Sequence, residues 1–253
     1  MVRQRIAIDS VQIFPLRRES LRIDTVLGFV FARDYPVLLD QSGEFLAPAE
    51  AGYFAGLRYL RRQRSFLLGR YAAKLALQRL LKATDPKAIE IGRGVFEQPL
   101  ISYLSARAPD VTISHCDQIA VALAFPSGHP MGIDVEQIDP DRLVAIRSQL
   151  SPVERDWARS AGAQELAFST LIWTAKEALS KALTCGLMSP MEIFNLAQFY
   201  PLRDRVWGGH FQNFGQYKFI GWIGRTVAMS IVLPKKSEEI EGGLDFDAIF
   251  ANE

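Results

Sequence analysis

Seven consecutive apolar residues, IAVALAF at 119–125, constrain this chain more than any other stretch. A continuous apolar run of that length is expected for a buried strand. VTISHCDQ before it completes a strand–turn–strand reading, PSGHP after it is a turn, and MGIDVE at 131–136 reads as the next strand. That last strand poses the central question. Asp134 and Glu136 share one face, because strand side chains alternate with period two, yet their neighbours Gly132, Ile133 and Val135 mark a partly buried strand. Buried carboxylates need partners or a cation.

The rest of the chain alternates loosely between strands and helices. AGYFAGLRYLRRQRSFLLGRYAAKLALQRLLKA (51–83) reads as one or two helices with Gly69 inside, ended by ATDP. IGRGVFEQPLI (91–101) reads as a loop or hairpin, and the first forty-odd residues as short strands and turns, with IAIDSVQIFPL alternating. In QLSPVERDWA, Ser151 is a cap, Pro152 suits the first helical position and Glu154 completes a capping box. AQELAFSTLIWTAKEALSKAL (163–183) is a strong helix. FNLAQF, YKFIGWI and TVAMSIVL are late strands. Without regular βαβ spacing, an α+β arrangement is expected rather than a doubly wound sheet.

On the helix IWTAKEALSKAL, 3.6-residue periodicity puts Trp173, Lys176, Glu177, Ser180 and Lys181 on one face, with Glu177 and Lys181 as an i,i+4 pair. By itself that is a surface ion pair. Together with Asp134 and Glu136 it gives three carboxylates and two lysines, a set that suits Mg²⁺ and phosphate. From Ala51 to Thr84 there is no acidic residue but eight basic ones, although the formal net charge is only +1. Such a segment asks for an anionic partner or is a solvated helix face.

The two parts together resemble the signature of the 4'-phosphopantetheinyl transferases. MGIDVE is similar to that family's G-[IV]-D strand, often ending D-x-E. WTAKEALSKAL fills every position of its [FW]-[SCT]-x-K-E-[AS]-x-x-K helix, with Trp173, Thr174, Lys176, Glu177, Ala178 and Lys181. TISHCDQIAVALAFP resembles the family's N-x-S-H segment, EQPLI its G-x-P loop and LLGRYAAKLAL its L-x-G-R helix. These matches span 61 to about 190, and the length of 253 fits the longer, monomeric Sfp-type branch. Two positions depart: Glu97-Gln98-Pro99 replaces Gly-(Lys or Arg)-Pro, with Arg93 as a substitute phosphate contact, and Thr112 stands where Asn is common.

The resemblance implies transfer of the 4'-phosphopantetheine arm of coenzyme A to a serine of an acyl or peptidyl carrier protein, releasing 3',5'-ADP. It implies Mg²⁺ held by Asp134, Glu136 and Glu177, with Glu177 as base and Lys181 neutralising the leaving phosphate. Lys176 binds phosphate or orients Glu177. Ser114 and His115 contact coenzyme A phosphates, and Arg70 takes the 3'-phosphate with Arg62, Arg64 or Lys74 nearby. It also implies a pseudo-two-fold pair of α+β halves, residues 1–130 and 131–253, with the active site in the cleft. Residues 140–160, including Arg142, Arg147, Arg155 and Trp157, are the candidate carrier-docking segment, and His129 and His210 have no assignment.

The competing readings are a catalytically silent relative that binds coenzyme A or a carrier, a nucleic-acid binder using 58–82, and a metal-dependent phosphohydrolase. The near-neutral charge argues against nucleic acid, and no further acidic or histidine motif supports a two-metal centre. The two cysteines, Cys116 and Cys185, form no disulfide framework, and no apolar stretch is long enough to cross a bilayer. A cytoplasmic protein without a membrane partner is therefore expected.

Overall fold

The structure, a computed structural model, describes residues 10–103, 108–240 and 242–250. Most of IAIDS, where the alternating stretch begins, falls outside these residues. The run 119–125 is a strand buried at every position. It lies in the first of two compact units, which is built from residues up to Leu16, Arg22–Gly128 and Glu239–Leu244. The second unit comprises Arg17–Leu21, His129–Glu238 and the residues from Asp245 onward. Both units mix helices and strands, so the chain is α+β.

In the first unit, β1 (Val11–Ile13), β2 (Val26–Phe31), β5 (Asp110–His115) and β6 (Ile119–Phe125) form an antiparallel sheet ordered β1-β2-β6-β5. The hairpin of β3 (Glu90–Arg93) and β4 (Pro99–Ser102) runs beside β5. Two helices cover it, α1 (Pro48–Ala55) and the 22-residue α2 (Leu60–Leu81). The helical stretch does break in two, but at Gly56–Tyr59; α2 passes straight through Gly69. It ends where Lys82 takes a left-handed conformation (φ 55°), four residues before Pro86. The core joins Leu67, Leu68, Ala72, Ala76 and Leu77 of α2 to Val26, Val30, Ala120, Ala122 and Ala124 of the sheet.

The second unit has β7 (Gly132–Gln137), α3 (Pro152–Ser160), α4 (Glu165–Ala182), β8 (Leu196–Arg203), β9 (Val206–Phe211), β10 (Tyr217–Ile223) and β11 (Val227–Pro234). Its sheet is ordered β8-β9-β10-β11-β7, antiparallel throughout. The strand at 206–211 was not expected, because Gly208 and Gly209 interrupt its pattern. A side chain at Gly209 would overlap the Gln198 carbonyl of the neighbouring strand, so glycine here serves close packing. The Ser151 capping box forms as read, Ser151 Oγ accepting from the Glu154 amide and Glu154 Oε2 from the Ser151 amide at 2.7 Å.

Each unit packs one long helix against its own antiparallel sheet. In the first, β2 leads through short helices to α2, and β3 and β4 form a separate two-stranded sheet before β5 and β6 return beside β2; in the second, β7 leads through short helices to α4, and β8–β11 form a meander that returns to β7. In each, a glycine on the leading strand lets the long helix approach. A methyl group at Gly28 would overlap the Ala72 carbonyl of α2, and one at Gly132 the Ala178 carbonyl of α4. Gly132→Ala is therefore expected to destabilise by about 3 kcal/mol, through overpacking against helix backbone that cannot rotate away. A denaturant midpoint equal to wild type would contradict this.

His129 is buried, with Nε2 3.3 Å from Ser237 Oγ. Burial, aided by the charge of Arg18, lowers its pKa to about 4. The unfolded chain therefore binds a proton between pH 6.5 and 4 that the folded chain refuses. Stability contributed by neutral His129 is complete above pH 6.5 and lost as pH falls to 4, by about 3 kcal/mol at most. His129→Gln should flatten the acid limb of the melting temperature between pH 7 and 4; an unchanged acid limb would exclude His129 as its origin.

Candidate functional site

The acidic cluster of the second unit follows from Gly132. Because α4 lies directly on β7 there, Glu177 and Lys181 reach Asp134, two residues further along the strand. Lys181 Nζ lies 2.6 Å from Asp134 Oδ1, and Asp134 is 3% exposed. Asp134 and Glu136 stand opposite Ser230 and Ala228 of β11, on one face as read. Burial and then the adjacent Asp134 charge push Glu177 up to about pH 7, against the opposing pull of Lys181. Such a group is half-ionised near neutrality, where a general base is most useful.

The structure changes three expectations here. The ion pair that Lys181 makes is to Asp134 across the strand, where an i,i+4 pair with Glu177 was read. Glu136 is drawn away by Arg142, whose Nη1 binds Glu136 Oε2; burial raises the Glu136 pKa and this contact opposes the rise. Lys176, read as binding phosphate or orienting Glu177, is fully buried. Its Nζ donates to the Gln149 carbonyl at 2.8 Å, to Asn195 Oδ1 at 2.8 Å and to Glu154 Oε2 at 3.0 Å. Three donors satisfied internally leave nothing for a phosphate.

Among the described residues no group of three or more His, Cys, Asp or Glu side chains is gathered to hold a metal ion. The reason is visible in the pairing, since Arg142 and Lys181 each take a carboxylate. In kind, the donors still fit a hard divalent cation: the repulsion between Asp134 and Glu177 is what a cation would relieve.

The basic segment builds a separate pocket wholly within the first unit. The cavity is about 330 Å³ and is lined by Arg62, Arg70, Arg93 and His115 with Tyr53 and Phe66. Gly69 sets it up: a side chain there would press on Ile113 Cγ2 at 3.1 Å, so its absence brings α2 onto β5 and Arg70 into the cavity His115 lines. Arg70 is 7% exposed, its Nε and Nη1 are buried without a hydrogen-bond partner among the described residues, and desolvation lowers its pKa against the pull of Glu50. The Arg93 guanidinium stacks on Tyr53 at 4.3 Å and Nη1 pairs with Glu97 at 2.7 Å. Glu97 holds φ 62°, a conformation that favours glycine, in the loop where the sequence departs from the G-x-P pattern.

Of the residues read as phosphate contacts, Arg70, Arg62 and His115 line this pocket. Arg64 is exposed outside it. Ser114 is buried and alternates to the other side of β5 from Ile113 and His115, as does Thr112, so neither faces the cavity. Lys74 is fully buried, held by Glu50 Oε2 at 2.8 Å, the Pro86 carbonyl at 2.9 Å and the Ile89 carbonyl. The sequence reading missed Glu50, Tyr53 and Phe66. A signal was there for the first: Pro48-Ala49-Glu50 repeats the Pro152-Val153-Glu154 pattern of the recognised cap.

No helix among the described residues is long and apolar enough to cross a membrane. Residues 130–231 match the model of the 4'-phosphopantetheinyl transferase superfamily. No curated protein matches the chain. Among solved structures, the chain is similar to a holo-(acyl-carrier-protein) synthase from Bacillus anthracis in complex with CoA (3',5'-ADP), at 20% identity over 46% of this chain and 97% of that one (TM-score 0.37). The holo-ACP-synthase of Plasmodium yoelii is 17% identical over 46% and 96% (TM-score 0.35). The holo-[acyl-carrier-protein] synthase of Thermotoga maritima is 22% identical over 49% and 74% (TM-score 0.32).

Proposed function

We propose, from a chain whose residues 130–231 carry this superfamily's pattern, that the protein moves the 4'-phosphopantetheine arm of coenzyme A onto a serine of an apo acyl or peptidyl carrier protein. One observation carries the reading. Within the matched residues, a buried Asp134 is ion-paired to Lys181 and adjoins a Glu177 poised near neutrality.

The serine hydroxyl oxygen attacks the phosphorus bearing the pantetheine arm, and the bond from that phosphorus to the bridging oxygen breaks. Glu177 takes the hydroxyl proton, and Lys181 neutralises the phosphate that leaves as 3',5'-ADP. Asp134 and Glu177 would hold Mg²⁺, which when bound supplies charge neutralisation at the pyrophosphate. Glu136 stays with Arg142 and is assigned to that pair. The pocket of Arg70, Arg62, Arg93 and His115 is assigned the 3'-phosphate, for which arginine's planar fork is suited. An acidic carrier would dock on the 140–160 segment. There Val144 and Val153 are exposed (80% and 51%) beside Arg147 and Arg155, although Arg147 is already paired with Glu165 at 2.8 Å. The protein is expected to act as a cytoplasmic monomer of the Sfp-type branch, its halves dividing near residue 130.

The test is transfer itself. The full chain is incubated with coenzyme A, Mg²⁺ and a panel of apo acyl and peptidyl carriers, and the carriers are weighed by intact-mass spectrometry. A gain equal to the phosphopantetheine arm on a carrier serine is expected. No gain on any carrier, with coenzyme A still bound, would favour a silent coenzyme A-binding relative.

A further inference from the structure

The two units share a buried clasp. In the second, Glu154 is the third residue of α3; its Oε2 accepts from the Ser151 amide and Lys176 Nζ, and its Oε1 from the Leu196 amide at 2.8 Å. In the first, Glu50 is the third residue of α1; its Oε2 accepts from the Ala47 amide at 2.7 Å and Lys74 Nζ, and its Oε1 from the Ile91 amide at 3.0 Å. The same atoms make the same joints: short helix, long helix and following strand. All four charged residues are 3% exposed or less.

One difference bears on the cavity. Four residues before the clasp lysine, the second unit has Ile172 and the first has Arg70. The Arg70 Nε lies 3.7 Å from Glu50 Oε1, and its guanidinium carbon sits 4.9 Å from the Phe66 ring centre on α2. The second clasp is charge-neutral, one carboxylate against one ammonium. In direct contact the first holds one carboxylate against two cations, with Glu90 adding only a weaker pull on Lys74, so the Arg70 charge that borders the cavity is incompletely balanced. A buried guanidinium with unmet donors is costly unless an anion completes it.

We propose that Glu50 is a positioning residue: with Phe66 it forms a two-walled mount that holds the Arg70 guanidinium at the cavity, and thereby sets the pocket's preference for a terminal phosphate. Glu154 is its internal counterpart, with the structural half of the role alone. The identity of the phosphate as the 3'-phosphate of coenzyme A rests on the transferase reading; the positioning role does not.

The test uses matched variants of the full chain, Glu50→Gln and Glu154→Gln, titrated by calorimetry with coenzyme A and with dephospho-coenzyme A, which lacks the 3'-phosphate. Thermal protection by inorganic phosphate is measured in parallel. Wild type is expected to favour coenzyme A by about tenfold or more. E50Q should lose that preference while E154Q keeps it, although both variants melt earlier. Equal preference in E50Q and wild type overturns the proposal. Failure of wild type to bind coenzyme A would count against the transferase reading, and the phosphate arm then decides. Protection lost in E50Q but kept in E154Q supports the mount; protection that is absent in wild type or unchanged in E50Q overturns it. If E50Q does not fold, Phe66→Leu removes the other wall without touching the clasp. Loss of the coenzyme A preference in F66L, or of phosphate protection, supports the proposal, and full retention overturns it.

Discussion

Asp134→Ala is expected to reduce phosphopantetheinyl transfer by about 10³-fold, a loss of the size seen when one preorganised charge is removed from a reaction centre. Asp134 is nearly inaccessible and ties β7 to α4 through Lys181. Its removal takes away a proposed Mg²⁺ ligand and leaves the Lys181 ammonium to repair the lost contact elsewhere. Excess Mg²⁺ should not restore activity fully, because the missing carboxylate also places Lys181. Asp134→Asn serves as the shape-preserving control. It should melt close to wild type yet transfer as poorly as the alanine variant, which separates loss of charge from loss of fold. Wild-type turnover in either variant, measured by carrier mass gain, would remove Asp134 from the chemistry.

Glu177→Gln should separate activity from stability in opposite directions. Transfer should fall by about 10² to 10⁴-fold, the range associated with a positioned proton acceptor. Stability should rise. A carboxylate whose folded pKa stands near 7 and whose unfolded value is 4.5 binds its proton more tightly when folded. Its contribution is therefore most favourable below pH 4.5 and is lost as pH climbs through 7. Burial beside Asp134 is the cause, and glutamine carries no charge to bury or repel. In the presence of a chelator, E177Q should gain about 3 kcal/mol over wild type at pH 8 and almost nothing at pH 4.5. Scanning calorimetry at the two pH values checks this. An equal gain at both would trace the effect to packing rather than to charge.

Much of the candidate site was legible because it is local. The G-I-D spacing, the KEALSK helix and the Arg70 helix each sit within a few residues, and alternation placed Asp134 and Glu136 on one strand face. The errors share one cause. Periodicity assigns residues to faces but does not say which faces are covered. The α4 helix is buried on both sides, by the sheet and by the segment that contains Gln149 and Glu154, so Lys176 lies in a second core while Glu177 turns to Asp134. Lys74 was misread on α2 for the same reason. Ser114 and His115 are adjacent in sequence, which on a strand means opposite sides. Glu154 was recognised as a helix cap from its neighbours; its second partner, Lys176, lies 22 residues away.

The sequence by itself determined most of the element types, the buried strand at 119–125, the Ser151 cap and the carboxylates and cations available for chemistry. Those follow from short-range terms: side-chain periodicity, capping and turn preferences. Only the tertiary structure decided which charges meet. It gave Lys181 to Asp134, Arg142 to Glu136, Lys176 to Glu154 and Lys74 to Glu50, and it left Arg70 facing a cavity. The physical reason lies in the glycines at 28, 69 and 132. Each removes a side chain so that helix and sheet can touch, and the depth of that approach settles whether a charged group is solvated, neutralised or left seeking an anion.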